Sequence, residues 1–87
     1  MASYNIVWKG SVEHELRAID RRYISHIVEA AESLAANPFP PQCRKLQGVE
    51  SSYRIRVGDY RVIYEVDTND NTIVICHVRH RKEAYRK

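Results

Sequence analysis

The sequence predicts an α+β domain of order β-α-α-β-β-β, with a helical hairpin packed on one face of a small, mainly antiparallel sheet. Three observations carry that prediction. Two apolar stripes at helical spacing lie before residue 36, residues 53–66 alternate about Gly58-Asp59, and Thr72–Val78 is rich in β-branched residues. With 87 residues and no repeat or linker, the chain reads as a single domain, 1–87. A chain of this size buries only about 60–65% of its unfolded surface.

Tyr4–Trp8 is a short apolar-rich run and the candidate first strand, broken by Lys9-Gly10-Ser11. Ser11 is the expected N-cap of the first helix, followed by Glu13 and Glu15, whose charges favour a first turn. Val12, Leu16 and Ile19 then recur at helical spacing. After a break near Asp20-Arg21-Arg22, a second stripe runs through Ile24, Ile27, Val28, Ala31, Leu34 and Ala35. Asn37-Pro38-Phe39-Pro40-Pro41 ends that helix, because proline cannot continue it and the residue before a proline avoids helical angles. Residues 37–52 form a long connection that contains Lys45-Leu46-Gln47-Gly48.

The hairpin follows. A Gly-first two-residue loop suits a type II′ turn. It sets Val57 opposite Tyr60, Arg56 opposite Arg61, Ile55 opposite Val62 and Arg54 opposite Ile63. Alternation then puts Tyr53, Ile55, Val57, Tyr60, Val62 and Tyr64 on one apolar face and Arg54, Arg56 and Arg61 on the other. The three tyrosines read as core, Tyr23 and Phe39 as core or loop anchors, and Trp8 as closing one edge. Asp67–Asn71 is a polar turn into the third strand of the hairpin sheet. If Val66 pairs with Thr72, Arg61 pairs with His77 and Arg79 joins the basic face. A one-residue slip would instead turn His77 and Arg79 to the core side and expose Val74, Cys76 and Val78. The tail Arg79–Lys87 has five Lys or Arg among nine residues.

The net charge is +3, unevenly spread. Residues 1–43 hold four Lys/Arg against five Asp/Glu, and residues 44–87 hold ten against six. The strand-rich half is therefore basic, which points to a polyanion there. Arg outnumbers Lys, and its planar fork suits phosphate. Like charges directly opposite on a sheet are destabilising, so Arg56 facing Arg61 calls for an anion between them. Cys43 and Cys76 form no Cys-x-x-Cys pair; nothing argues for a disulfide framework, a zinc site or another cofactor. No apolar segment is long enough to span a membrane, and the N-terminus lacks the apolar core of a signal peptide, so a cytoplasmic location is expected.

The chain resembles a RelE/ParE-superfamily toxin of a type II toxin–antitoxin pair, of the RelE-like branch. The residues that carry the resemblance are Lys45-Leu46-Gln47-Gly48, the segment Tyr53-Arg54-Ile55-Arg56-Val57-Gly58-Asp59-Tyr60-Arg61-Val62-Ile63-Tyr64, and the ending His80-Arg81-Lys82-Glu83-Ala84-Tyr85. The resemblance implies a ribosome-dependent endoribonuclease that cuts mRNA in the decoding site and so inhibits translation. It also implies a cognate RelB-like antitoxin that wraps and blocks the toxin, with a toxin–antitoxin hetero-oligomer as one assembly. Carried over by position, Arg54 and Arg56 hold the mRNA backbone and Arg61 stabilises the charged transition state. Arg81 sits by the leaving group, and Tyr85 orients or activates the attacking ribose hydroxyl.

The residues support that chemistry on their own terms. Metal-free RNA cleavage needs a 2′-hydroxyl attacking the adjacent phosphorus, a stabilised phosphorane charge and a neutralised leaving 5′-oxygen. Arginine exchanges no proton readily at neutral pH but matches phosphate oxygens, so such a site works mainly through electrostatics and alignment. His77 and His80 compete as acid–base groups, against the plainer reading of surface histidines. Arg79 and Lys45 are further RNA-binding candidates, with Lys45 equally readable as solvated. His14 and His26, among charged helix residues, read as structural or solvated. Two other functions fit parts of the pattern. A ParE-like gyrase inhibitor has no need of the Arg61, Arg81 and Tyr85 set. A non-catalytic RNA- or partner-binding module tolerates Tyr85→Phe.

Overall fold

The computed structural model describes residues 3–46, 48 and 51–80. The elements are β1 (Asn5–Trp8), α1 (Gly10–Arg17), α2 (Arg21–Ser33), β2 (Arg44–Lys45), β3 (Ser52–Val57), β4 (Tyr60–Asp67) and β5 (Thr72–His80). The sheet order is β1-β5-β4-β3-β2. Among the described residues, only the β1–β5 pairing is parallel. This is the expected α+β architecture with one addition. The long connection after α2 contributes a two-residue edge strand, β2, so Lys45 is a strand residue and not a loop residue.

Both helices cover the same face of the sheet. Val12 and Ile19, with Ile27, Ala31 and Leu34, meet Ile55, Val62, Tyr64, Val66, Ile73, Ile75 and Val78 in one cluster. The expected cap at Ser11 is not formed. Lys9 is the N-cap, with no side-chain capping bond, and Ser11 lies inside the first turn. The reason is the sheet: Lys9 N donates to Ile75 O at 3.0 Å, so the chain leaves β1 there and must turn at once. The second helix is capped from its sequence. Asp20 accepts from Arg22 N at 3.0 Å and pairs with the Arg22 guanidinium, which holds its carboxyl below the usual range.

The β3–β4 hairpin has the expected register, with Val57 opposite Tyr60 and Arg56 opposite Arg61. Gly58 carries φ +59 while Asp59 stays at negative φ, the signature of a type II′ turn. Tyr64 is fully buried, stacks on Tyr53 at 5.9 Å, and donates its hydroxyl to Pro38 O at 2.8 Å. The proline segment after α2 is thereby tied to the middle of the sheet.

The β4–β5 register differs from the expected one. Asp67 pairs with Thr72 and Val66 with Ile73, and a bulge follows at Ile63/Tyr64. Beyond it Ile63 pairs with His77, and Arg61 pairs with Arg79, not with His77. Two apolar patterns explain the correction. Ile73 and Ile75 are each 0% exposed, and the expected register would have put both on the open face. Burying each is worth about 2–3 kcal/mol. Continuing that ladder unbroken would turn Val78 out and His77 and Arg79 in. Cys76, the extra residue at the bulge, resolves the conflict: Val78 returns to the core and His77 and Arg79 stay on the open face.

Candidate functional site

The face of the sheet away from the helices carries the site. Residues directly opposite on an antiparallel ladder share a face. Arg56 pairs with Arg61 and Arg61 with Arg79, so three arginines form one row across β3, β4 and β5. Arg44 of β2 faces Arg54 of β3 on the same side. Gln42, Arg44, Arg54, Arg56 and Arg61 line a recess of about 300 Å³. Among the described residues, Arg44, Arg54 and Arg56 pair with no carboxylate. Arg56 Nε donates to Gly58 O at 3.1 Å and Arg44 Nη1 to Cys43 O at 3.2 Å. Both bonds go to backbone carbonyls, which hold a guanidinium without neutralising it.

Arg79 is held differently. β1 ends at Trp8, opposite Ile75, and beyond that point α1 runs beside β5. Glu15 of α1 takes over the strand edge: its Oε1 accepts from Val78 N at 3.0 Å. Its Oε2 accepts from Arg79 Nε at 3.3 Å and lies 3.4 Å from His77 Nδ1. Arg79 Nη2 is also 3.3 Å from His77 Nδ1. One helix carboxylate thus fixes the strand edge, the histidine and one end of the arginine row.

Arg54, Arg56, Arg61, Arg79 and His77 are therefore brought together on the open face. Two expected site residues are not. Lys45 pairs with Tyr53, which packs on the core, so it faces the helix side of the sheet edge. His80 pairs with Tyr60 and meets its ring edge-on at 5.3 Å, beside Ile19 and Val78. It lies on the face opposite the arginines. Arg81 and Tyr85 fall outside the described residues. Burial pushes the Cys76 thiol up, away from a reactive thiolate.

Two residues of the site were not singled out from the sequence. Arg44 was readable in principle, since a strand through 44–45 puts Arg44 and Lys45 on opposite faces. Glu15 left no local signal, because its contacts lie more than 60 positions away.

Comparison with known proteins gives a consistent family. A family model described as the ParE toxin of type II toxin–antitoxin systems matches residues 6–85. Toxin RelG of Mycobacterium tuberculosis is 31% identical over 88 aligned residues, covering 97% of this chain and 98% of its own. Toxin RelE3 of Methanocaldococcus jannaschii is 39% identical over 66 residues, covering 75% of this chain and 73% of its own. A chain of the archaeal RelE–RelB complex from Pyrococcus horikoshii superposes with a TM-score of 0.80 at 30% identity, over 91% of this chain and 96% of that one. The match spans nearly the whole chain and takes in the sheet, the helical hairpin and the arginine face, so the protein belongs to the RelE/ParE superfamily of type II toxin–antitoxin toxins.

Proposed function

We propose that this toxin is a ribosome-dependent mRNA endoribonuclease that stops translation and is neutralised by a RelB-like antitoxin. The observation that carries the reading is the row Arg56–Arg61–Arg79 across three adjacent strands of an open face. Arginines facing one another across a ladder repel, Arg79 already has the Glu15 carboxylate beside it, and a phosphodiester laid along the row adds an anion whose oxygens match the guanidinium forks. Arg61, at the centre, meets the charge that builds on the phosphorus as the 2′-hydroxyl attacks. Arg54 and Arg56 hold the backbone on one side and Arg79 on the other. Preorganised donors of this kind, paid for in the fold, supply the larger share of such a rate enhancement.

Proton transfer rests on fewer groups. His80 faces the helix side against Tyr60, which removes it from the phosphate path in this reading. His77 Nδ1 is engaged by Glu15 and Arg79, which leaves Nε2 to exchange a proton. Arg81 at the leaving oxygen and Tyr85 at the attacking hydroxyl complete the proposed set. In the proposed metal-free reaction the 2′-hydroxyl passes its proton to Tyr85 as its oxygen bonds to phosphorus, the bond to the 5′-oxygen breaks, and that oxygen takes a proton from His77 or from solvent. The ribosome and its bound mRNA are the proposed partners, which places the activity in the cytoplasm. Among the described residues no helix is long and apolar enough to cross a membrane. RelE–RelB complexes among the structural relatives support the antitoxin partner.

A gyrase-directed toxin is the second reading, favoured by the ParE description of the matching family model. One experiment separates the two. On induction, the wild type arrests growth and primer extension maps cuts within translated mRNAs, while Arg61→Ala lowers cleavage on the order of 10²-fold or more. Undiminished toxicity of Arg61→Ala, with inhibited gyrase supercoiling and uncut mRNA, would establish the gyrase reading instead.

A further inference from the structure

We propose that Arg44 and Arg54, with Gln42 at the rim, form a second phosphate subsite beside the Arg56–Arg61 pair. It would bind the neighbouring backbone phosphate of a single-stranded RNA. The inference rests on the RNA reading above and deepens it. The two like-charge pairs are distinct: Arg44 faces Arg54 across the β2–β3 ladder, and Arg56 faces Arg61 across the β3–β4 ladder. Arg54 and Arg56 are two residues apart on one strand, so these two members of the pairs are spaced by about 6.5–7 Å along it. Successive phosphates of an extended single strand are separated by a comparable distance, so each pair takes one phosphate.

The pair opens onto the recess of about 300 Å³ that Gln42 also lines. Neither Arg44 nor Arg54 has a carboxylate partner among the described residues. Two facing guanidinium groups without a counter-ion are matched by one phosphate, whose oxygens accept from both forks. The Gln42 amide both donates and accepts, which suits the ribose hydroxyl next to that phosphate.

The test uses the full-length protein and a short single-stranded oligoribonucleotide made uncleavable by 2′-O-methyl groups. Binding is measured from low to high salt for wild type, Arg44→Ala and Arg44→Lys. Arg44→Ala should bind on the order of ten-fold more weakly, and the slope of log affinity against log salt should fall by about 0.7. Arg44→Lys should keep the slope. A methylphosphonate placed at each linkage in turn should weaken wild type at two adjacent positions and Arg44→Ala at only one of them. Unchanged affinity and slope in Arg44→Ala overturn the subsite. Weakened antitoxin binding with unchanged RNA binding overturns it in favour of a carboxylate-docking site. Ribosome assays run in parallel keep the two readings apart. A wild type that binds the oligonucleotide but cuts no mRNA defeats the nuclease reading alone. One that cuts mRNA while Arg44→Ala binds like wild type defeats the subsite alone.

Discussion

At the scale of single residues, two side chains hold the site to the fold. Glu15 bonds the edge amide of Val78 at 3.0 Å and reaches both His77 and Arg79. Removing an acceptor from a partly buried amide costs about 1–3 kcal/mol. Glu15→Ala should therefore lower the urea unfolding free energy by that amount, while Glu15→Gln, which keeps an acceptor for Val78 N, should lose less than half as much. If the two variants are equally unstable, the carboxylate charge on Arg79 and His77 dominates and the edge bond does not. Tyr64 is the second such residue. Burial pushes its phenol well above the ordinary range, because the phenolate would be desolvated. The sign follows from linkage: an acid whose folded pKa is raised contributes stability that is complete below the unfolded value of about 10 and is lost as pH rises beyond it. Tyr64→Phe should cost about 1 kcal/mol at neutral pH through the lost bond to Pro38 O. It should also flatten the fall in stability above pH ~10, read from denaturant midpoints across an alkaline series.

At the scale of elements, turns fix where the arginines stand. Gly58 has φ +59, and an added Cβ would meet nothing within 4 Å, so its cost is purely conformational. Gly58→Ala should destabilise by about 1–2 kcal/mol, and Gly58→Asn by less, since asparagine tolerates that region. Equal stabilities in chemical denaturation would mean that the hairpin adopts a different turn. The same turn shows why the β3–β4 register was legible: a two-residue loop leaves one pairing compatible with both flanking patterns. The β4–β5 register was not legible, because the hydrophobic patterns of Ile73–Ile75 and of Val78 disagree by one residue. Only a bulge satisfies both, and no local rule places it. The β2 strand was hidden for a similar reason, being two residues long and defined by its partner Tyr53–Arg54. Of the expected open-face arginines, Arg54, Arg56 and Arg61 followed from alternation about the turn, whereas Arg79 reaches that face only through the bulge. His80 and Lys45 went to the other face because one bulge and one edge pairing decide their parity.

At the scale of the whole molecule, the open face sets stability against function. Arg44 opposite Arg54 and Arg61 flanked by Arg56 and Arg79 concentrate positive charge at one end of the sheet. Glu65, Asp67 and Asp70 line a recess at the other end. Repulsion between facing charges is worth about 0.2–1 kcal/mol for each pair and is screened by salt. On the proposed phosphate-binding function, that cost is tolerated in the free form, as it commonly is at functional sites. Arg54→Gln relieves the pair with Arg44 and keeps part of the aliphatic stem. It should therefore raise the unfolding free energy of the free toxin by a few tenths to about 1 kcal/mol at low salt. The gain should vanish near 1 M salt, where the screening length falls to about 3 Å. The same substitution should weaken RNA binding at low salt. Stability and binding thus move in opposite directions in one variant, and a phosphate-rich buffer, by occupying the face, should narrow the stability difference as salt does. An Arg54→Gln protein that is less stable than wild type at every salt concentration would mean that the guanidinium is held by favourable contacts, and that the face is not electrostatically strained.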